Sequence, residues 1–183
     1  MSVVQKNVLV SVDEYLEAEK HSQTKHEYVR GHVYAMVGAS RAHNKLALAL
    51  ASLLRTHLRE SGCDVFISDM KVRIGDIFYY PDVVVTCGKA DTNPYFSTEP
   101  VLVVEVLSPT TEAADRVDKR LGYQSLPSLK EYVLVNQDRR KVEVYRRSGA
   151  GWDLETYTGQ DIVRLTSVDF SASTADLYGD VAG

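Results

Sequence analysis

Two carboxylates set in otherwise apolar stretches, Asp82 and Glu105, are the residues of this chain whose surroundings call for chemistry. Asp82 follows Tyr79-Tyr80-Pro81 and precedes Val83-Val84-Val85. Glu105 stands in Pro100-Val101-Leu102-Val103-Val104-Glu105-Val106-Leu107-Ser108-Pro109. Both stretches read as buried strands, the second covered on both faces. Burying an unpaired ionised carboxylate costs at least several kcal/mol, so each acid must be neutralised, paired with a cation or bound to a metal. Singly, each has a plainer reading: Asp82 can bond backbone N–H groups in a turn after Pro81, and Glu105 can sit opposite a structural Arg or Lys. As a pair on adjacent buried strands they favour a site, and a shared divalent cation with oxygen ligands, such as Mg2+, satisfies both.

Hydrolysis of a phosphodiester by a carboxylate-held metal needs ligands, a group that activates or holds the water, and charge to meet the developing negative phosphate. Asp82 and Glu105 supply the ligands, and a lysine usually supplies part of the rest. Residues two apart in a strand share a face, so position 107 aims where Glu105 aims; Leu107 cannot serve. The nearest alternative is Lys119, on a helix that should pack back over the sheet, with Tyr123 one turn further. Against it, Asp115 and Lys119 stand at i,i+4 and can form an exposed ion pair, and Ala114, Val117 and Leu121 offer a competing core face. Ser108 as a nucleophile has no general base at a useful spacing, and Ser-Pro-Thr-Thr reads as a turn and cap.

These residues need elements to position them. Ser11 with Glu14 is a capping box that opens a helix through about Lys20. Lys25 to Val29, which contains Glu27, and His32 to Met36 read as strands turned by Arg30-Gly31. Ser40 caps a long helix to about Glu60, with Leu46, Leu50, Leu53, Leu54 and Leu58 as its apolar stripe. His43, in its first turn, reads as a surface or capping residue. Asp64 to Ser68 and Lys71 to Ile74 are strand-like, Tyr79 to Val85 is the Asp82 strand, and a loop with Asp91, Asn93 and Pro94 leads to the Glu105 strand. A helix capped by Thr110 or Thr111 runs to about Ser125. Lys130 to Val135 is a buried strand. The remainder reads as an antiparallel meander closed by a short helix. Arg139, Arg140, Lys141, Arg146 and Arg147 cluster on its hairpin, as edge protection or as phosphate contacts.

The 183 residues suffice for one domain, 1–183, with a sizeable core. A net charge of −4 argues against a protein that coats nucleic acid through a broad basic surface. Cys63 and Cys87 lie far apart outside any C-x-x-C pattern, which indicates neither a zinc site nor a disulfide framework and suits a reducing cytoplasm. Met1 to Asn7 lacks the layout of a signal peptide, and the apolar runs are too short to span a bilayer, so no membrane association is expected.

Tyr80-Pro81-Asp82-Val83, Val103 through Thr110, Asp118-Lys119 and Tyr123 together resemble the Uma-two family of putative restriction endonucleases. The likeness extends to His26-Glu27-Tyr28, to Gly38-Ala39-Ser40 with His43, and to Glu131-Tyr132, and so covers nearly the whole chain. That family belongs to the PD-(D/E)xK nuclease superfamily. The resemblance implies an α/β (mixed α+β) fold with a restriction-endonuclease-like core, a central mixed β-sheet flanked by helices, to which the antiparallel hairpins are added. It implies that Asp82 is the motif aspartate, Glu105 the acid of the second half-motif and Glu27 a further acid near the site. Leu107 departs from the pattern, and a lysine moved to the neighbouring helix fits Lys119. The implied activity is metal-dependent hydrolysis of DNA. Asp82, Glu105 and the Val106 carbonyl would hold Mg2+ or Mn2+, Glu27 would bind a second ion or orient a water, and Lys119 would steady the developing charge. A homodimer is expected, since cutting both strands of a duplex is easiest with two-fold symmetry. The competing reading is a catalytically silent nuclease-like fold that serves as a nucleic-acid-binding or assembly module.

Overall fold

The computed structural model describes residues 9–88, 92–179 and 181. Met1 to Asn7 and Asp91, both read above, lie outside the described residues. The Ser11 hydroxyl accepts from the Glu14 N–H while the Glu14 carboxylate accepts from the Ser11 N–H, and this capping box opens α1 (Val12–His21). Its Tyr15 packs on Tyr28 and Phe78. A hairpin follows, β1 (His26–Val29) and β2 (His32–Ala35), turned at Arg30 and Gly31, whose φ values of 48° and 92° give the left-handed pair that matches strand twist. Ser40 caps α2 (Arg41–His57) by accepting from the His43 N–H. The helix stops at His57, short of Glu60, because Ser61 takes up the Leu58 carbonyl through both its N–H and its hydroxyl.

The next strands are β3 (Cys63–Ile67), β4 (Lys71–Ile74), β5 (Ile77–Tyr79), β6 (Val83–Cys87), β7 (Phe96–Ser97) and β8 (Pro100–Leu107). A segment of α3 (Glu112–Ala114), a π-helical turn (Asp115–Lys119) and α4 (Arg120–Gln124) leads to β9 (Glu131–Asn136). The chain finishes with β10 (Lys141–Ser148), β11 (Gly151–Thr158), β12 (Ile162–Leu165), β13 (Phe170–Ser173) and α5 (Thr174–Tyr178).

The mixed sheet has the order β11-β10-β9-β8-β6-β3, with β8 and β9 parallel and the other neighbours antiparallel. Two cores cover its faces. Leu102, Val104 and Val106 point to the side where α2 lays Leu46, Leu50, Leu54 and Leu58. Val103 and Leu107 point to the other, against Tyr79, Tyr123, Leu126 and Tyr132. The pleat thus sends Glu105 toward the helix that carries Lys119 and Tyr123. A five-stranded sheet, β2-β1-β5-β4-β7, holds Glu27 on β1. Among the described residues no helix is long and apolar enough to cross a membrane.

Two expectations are corrected. Tyr79 to Val85 is not one strand: β5 belongs to the five-stranded sheet and β6 to the six-stranded one, and the chain passes between them at Tyr80-Pro81-Asp82. Pro81 has no N–H for a ladder, so pairing lapses there and Asp82 is freed to turn its side chain inward. Cys63 and Cys87 are joined by a disulfide rather than held as separate thiols. The β3–β6 register sets them directly opposite each other, Cα to Cα 4.0 Å, next to the hydrogen bond from the Gly88 N–H to the Gly62 carbonyl. Such non-hydrogen-bonded positions bring side chains closest, and a sequence separation of 24 hides the pairing.

The candidate active site

Asp82 stands just before β6, one residue outside the Val83–Val104 pair and beside Glu105, at the point where β6 begins and β8 continues. Beyond that point the Val106 N–H has lost its ladder partner, and the Asp82 Oδ2 accepts it at 2.7 Å. The other carboxylate oxygen, Oδ1, accepts from His43 Nε2 at 2.8 Å. His43 is delivered by the first turn of α2, whose Ser40 cap also donates its hydroxyl to the Gln137 side chain at 2.6 Å, just after β9. Asp82, Glu105, Lys119, His43 and Asp115 all line one cavity of about 660 Å3. Neutral hydrogen-bonding side chains, among them Ser40, Asn44, Thr110 and Gln137, form much of its remaining wall.

Lys119 is the hub. Its side chain is only 9% exposed, and its Nζ lies 2.8 Å from Glu27 Oε1, 3.3 Å from Glu105 Oε1 and 3.4 Å from Asp115 Oδ1. The π-helical turn that spans Asp115 and Lys119 widens the helix at this buried pair, in keeping with the frequent association of such turns with functional sites. Val117 and Leu121 face solvent, so the competing helix face is the outer one. The Asp115–Lys119 pair does form, but it is buried rather than exposed. Tyr123 donates to Glu105 Oε1 at 3.1 Å, and the Tyr80 N–H donates to Glu27 Oε1 at 3.2 Å. Glu27 therefore reaches the site through Lys119 and is not among the side chains that line the cavity.

The electrostatics follow from this crowding. Burial pushes Glu105 well above the usual carboxylate range; Lys119 pulls the other way, while Asp115, Asp82 and Glu27 add to the rise. Burial disfavours the Lys119 ammonium, yet Glu105, Glu27 and Asp115 together hold its pKa above the ordinary lysine value. The ammonium is thus the fixed charge of the cluster, while lost hydration and the neighbouring acids disfavour the ionised form of Glu105. Burial and the Glu105 carboxylate likewise raise Tyr123, which keeps its phenol a donor.

The matching family model, described as putative restriction endonuclease, covers residues 12–175. The chain belongs to the Uma2 (Uma-two) family. Two Synechocystis sp. proteins are similar along nearly their whole length. Uncharacterized protein slr1290 is 37% identical over 177 residues, 94% of this chain and 93% of that one. Uncharacterized protein sll1609 is 32% identical over 167 residues, 88% of this chain and 94% of that one. The crystal structure of a putative nuclease belonging to DUF820 from Anabaena variabilis has the same fold, with a TM-score of 0.75 at 18% identity over 93% of this chain and 98% of that chain.

In this Uma2 chain, Lys119 contacts Glu27 and Glu105, and Asp82, Glu105 and Lys119 line one cavity. His43 is corrected from a surface or capping residue to a partner of Asp82; its place three residues after the Ser40 cap was the available signal. Tyr79 and Tyr80 are buried, whereas Tyr95 is exposed. Of the basic cluster, Arg146 bonds Glu131 and Glu155, Arg147 donates to the Leu129, Gln124 and Leu126 carbonyls, and Lys141 pairs with Glu143. Arg139 and Arg140 stay exposed.

Arg116 fastens the lysine-bearing helix to the sheet, from Nε to Glu112 at 2.8 Å and from its terminal nitrogen to Glu143 on β10 at 2.7 Å. Burial alone would raise the Glu143 pKa, but bonds from Arg116 and Lys141 outweigh it and hold the carboxyl below its ordinary value. A depressed folded-state pKa means that the stabilisation is complete above the unfolded value, about 4.3, and is lost as pH falls through the folded one. Glu143→Gln is expected to cost about 1–2 kcal/mol at pH 7. It should also flatten the acid limb of the stability profile below about pH 4.5, as read by urea denaturation from pH 3 to 7. An unchanged acid limb would assign that slope to other carboxylates.

Proposed function

We propose that this chain is a metal-dependent endonuclease that hydrolyses phosphodiester bonds in DNA, with Asp82 and Glu105 as the side chains that hold Mg2+ or Mn2+. The observation that carries this reading is the convergence of Asp82, Glu105 and Lys119 on one cavity, with the ammonium filling the role that Leu107 cannot. The residues fit such an ion. Three carboxylates, Glu27, Glu105 and Asp115, surround the Lys119 ammonium and Asp82 lines the same cavity, an excess of acid that a divalent cation neutralises. Among the described residues no three His, Cys, Asp or Glu side chains are gathered as a ligand set. Mg2+ keeps several waters and uses one or two carboxylates together with substrate phosphate oxygens, a requirement that Asp82 and Glu105 can meet. Bound there, the ion would polarise a phosphoryl oxygen and lower the pKa of a water.

The chain's own groups do the rest. Lys119 donates to the oxygens on which charge develops, and Glu27 holds that ammonium in place instead of taking a second ion. Tyr123 fixes the Glu105 carboxyl by donating to Oε1. Ser40, Asn44, Thr110 and Gln137 offer neutral donors and acceptors to the sugar–phosphate chain, which positions a strand without reading its sequence. A two-fold homodimer would present two such cavities to the two strands of a duplex, and the cytoplasm would supply the DNA.

Asp82→Ala tests the reading. Mn2+ binding by calorimetry and plasmid nicking are both expected in the wild-type protein and both lost in the variant, with nicking down at least about 100-fold. A wild-type protein that binds no Mn2+ and nicks nothing would leave the silent-module reading in its place.

A further inference from the structure

We infer that His43 is the positioning residue for the metal ligand Asp82, fixing the direction in which that carboxylate faces the cavity. The inference rests on the metal-dependent reading above and adds a residue to it. Asp82 lies in the passage between two sheets, where its carbonyl accepts from the Ser68 N–H at 3.2 Å but no assigned strand spans residues 80 to 82. Its carboxylate is instead gripped at both oxygens, by the Val106 N–H at 2.7 Å and by His43 Nε2 at 2.8 Å. The Val106 contact alone leaves the carboxylate free to rotate about the single bond that joins it to the chain. The imidazole, approaching from α2, removes that freedom.

The His43 side chain is itself well fixed. It is 13% exposed, its backbone N–H is tied to the Ser40 cap, and that cap is clamped to Gln137. His43 Nδ1 is buried and has no hydrogen-bond partner among the described residues. A buried lone pair left unpartnered is a lesser penalty than a buried N–H left unpartnered, so the proton belongs on Nε2, the nitrogen that faces Asp82. Through Nε2, 2.8 Å from Oδ1, His43 donates to the carboxylate and fixes its direction. Partners of this kind, one step removed from a metal, typically change its affinity 10- to 100-fold.

The test is calorimetric titration of Mn2+ into the wild-type protein, His43→Ala, His43→Gln and His43→Leu, with the melting temperature of each metal-free protein. Gln can carry an N–H donor close to the position of Nε2, whereas Leu fills the space without one. His43→Ala and His43→Leu are expected to bind Mn2+ at least about 10-fold more weakly, and His43→Gln within about 3-fold of wild type. Should His43→Ala fail to fold, the Gln and Leu pair still decides, because both fill the cavity behind Asp82. Equal Mn2+ affinity in His43→Leu and wild type, at equal melting temperature, overturns the role of His43 while leaving the metal site standing. Absence of Mn2+ binding in the wild-type protein overturns both readings together.

Discussion

Lys119→Met will lose both stability and nicking, and by more than any other single change in the cavity. Three carboxylates, Glu27, Glu105 and Asp115, lie within 3.4 Å of the Lys119 nitrogen, and the substitution leaves them facing one another across an apolar side chain. Removing one partner from a buried charge cluster typically costs about 3–5 kcal/mol. For a chain of this size that is a fall in melting temperature of about 10 °C. Loss of the donor aimed at the developing phosphate charge should lower the nicking rate by at least about 100-fold. Scanning calorimetry reads the first effect, and nicking at a temperature well below the variant's melting point reads the second. Mn2+ should recover part of the lost stability in the variant, because the cation takes over the neutralisation of the acids. A variant that melts and nicks like the wild-type protein would mean that the ammonium is a spectator.

Glu131→Ala will be the largest purely structural loss. This residue, fully buried at the start of β9, accepts from the Arg146 Nε at 2.8 Å, from the backbone N–H groups of Thr166 and Ser167 at 3.0 and 2.9 Å, and from both of their hydroxyls. It thereby ties the parallel β8–β9 centre of the sheet to the turn between β12 and β13 and to β10. Its removal strands two backbone donors and two hydroxyls and takes one partner from the Arg146 guanidinium, which keeps Glu155 and the Arg164 carbonyl, and about 3–5 kcal/mol is expected for the set. Glu131→Gln, which retains acceptor capacity but not charge, should lose about half as much. Denaturant unfolding distinguishes the two variants, and Mn2+ affinity of the folded Glu131→Gln protein should match wild type. A change in Mn2+ affinity would place Glu131 in the site after all.

The contrast between these two glutamates marks how far the sequence reaches. An acid inside a run of Val and Leu is visible as an anomaly, because desolvation leaves few ways to keep it; Glu105 and Asp82 stand out on that ground, and strand alternation rules Leu107 out of the lysine's role. Capping residues at Ser11 and Ser40, the Arg30-Gly31 turn and the leucine stripe of α2 were likewise legible, since each depends on interactions within a few residues of chain. Glu131, which follows Lys130 at the start of its strand, carries no such local anomaly, and its role as an anchor shows only in the fold.

What only the tertiary structure decided depends on contacts between distant segments. Lys119 could pair with Asp115 in solvent or turn inward, and the choice was made by the packing of α4 on the sheet, which exposes Val117 and Leu121. His43 and Asp82 are 39 residues apart and meet because Ser40 is clamped to Gln137. Cys63 and Cys87 are joined through a strand register that no spacing rule reveals. The sequence by itself determined which residues had to be accounted for, since the penalty of burying a charge is paid wherever the chain folds. The tertiary structure decided which partner accounts for each, because electrostatic and hydrogen-bonding energies are set by distances of a few ångströms between parts of the chain that periodicity cannot relate.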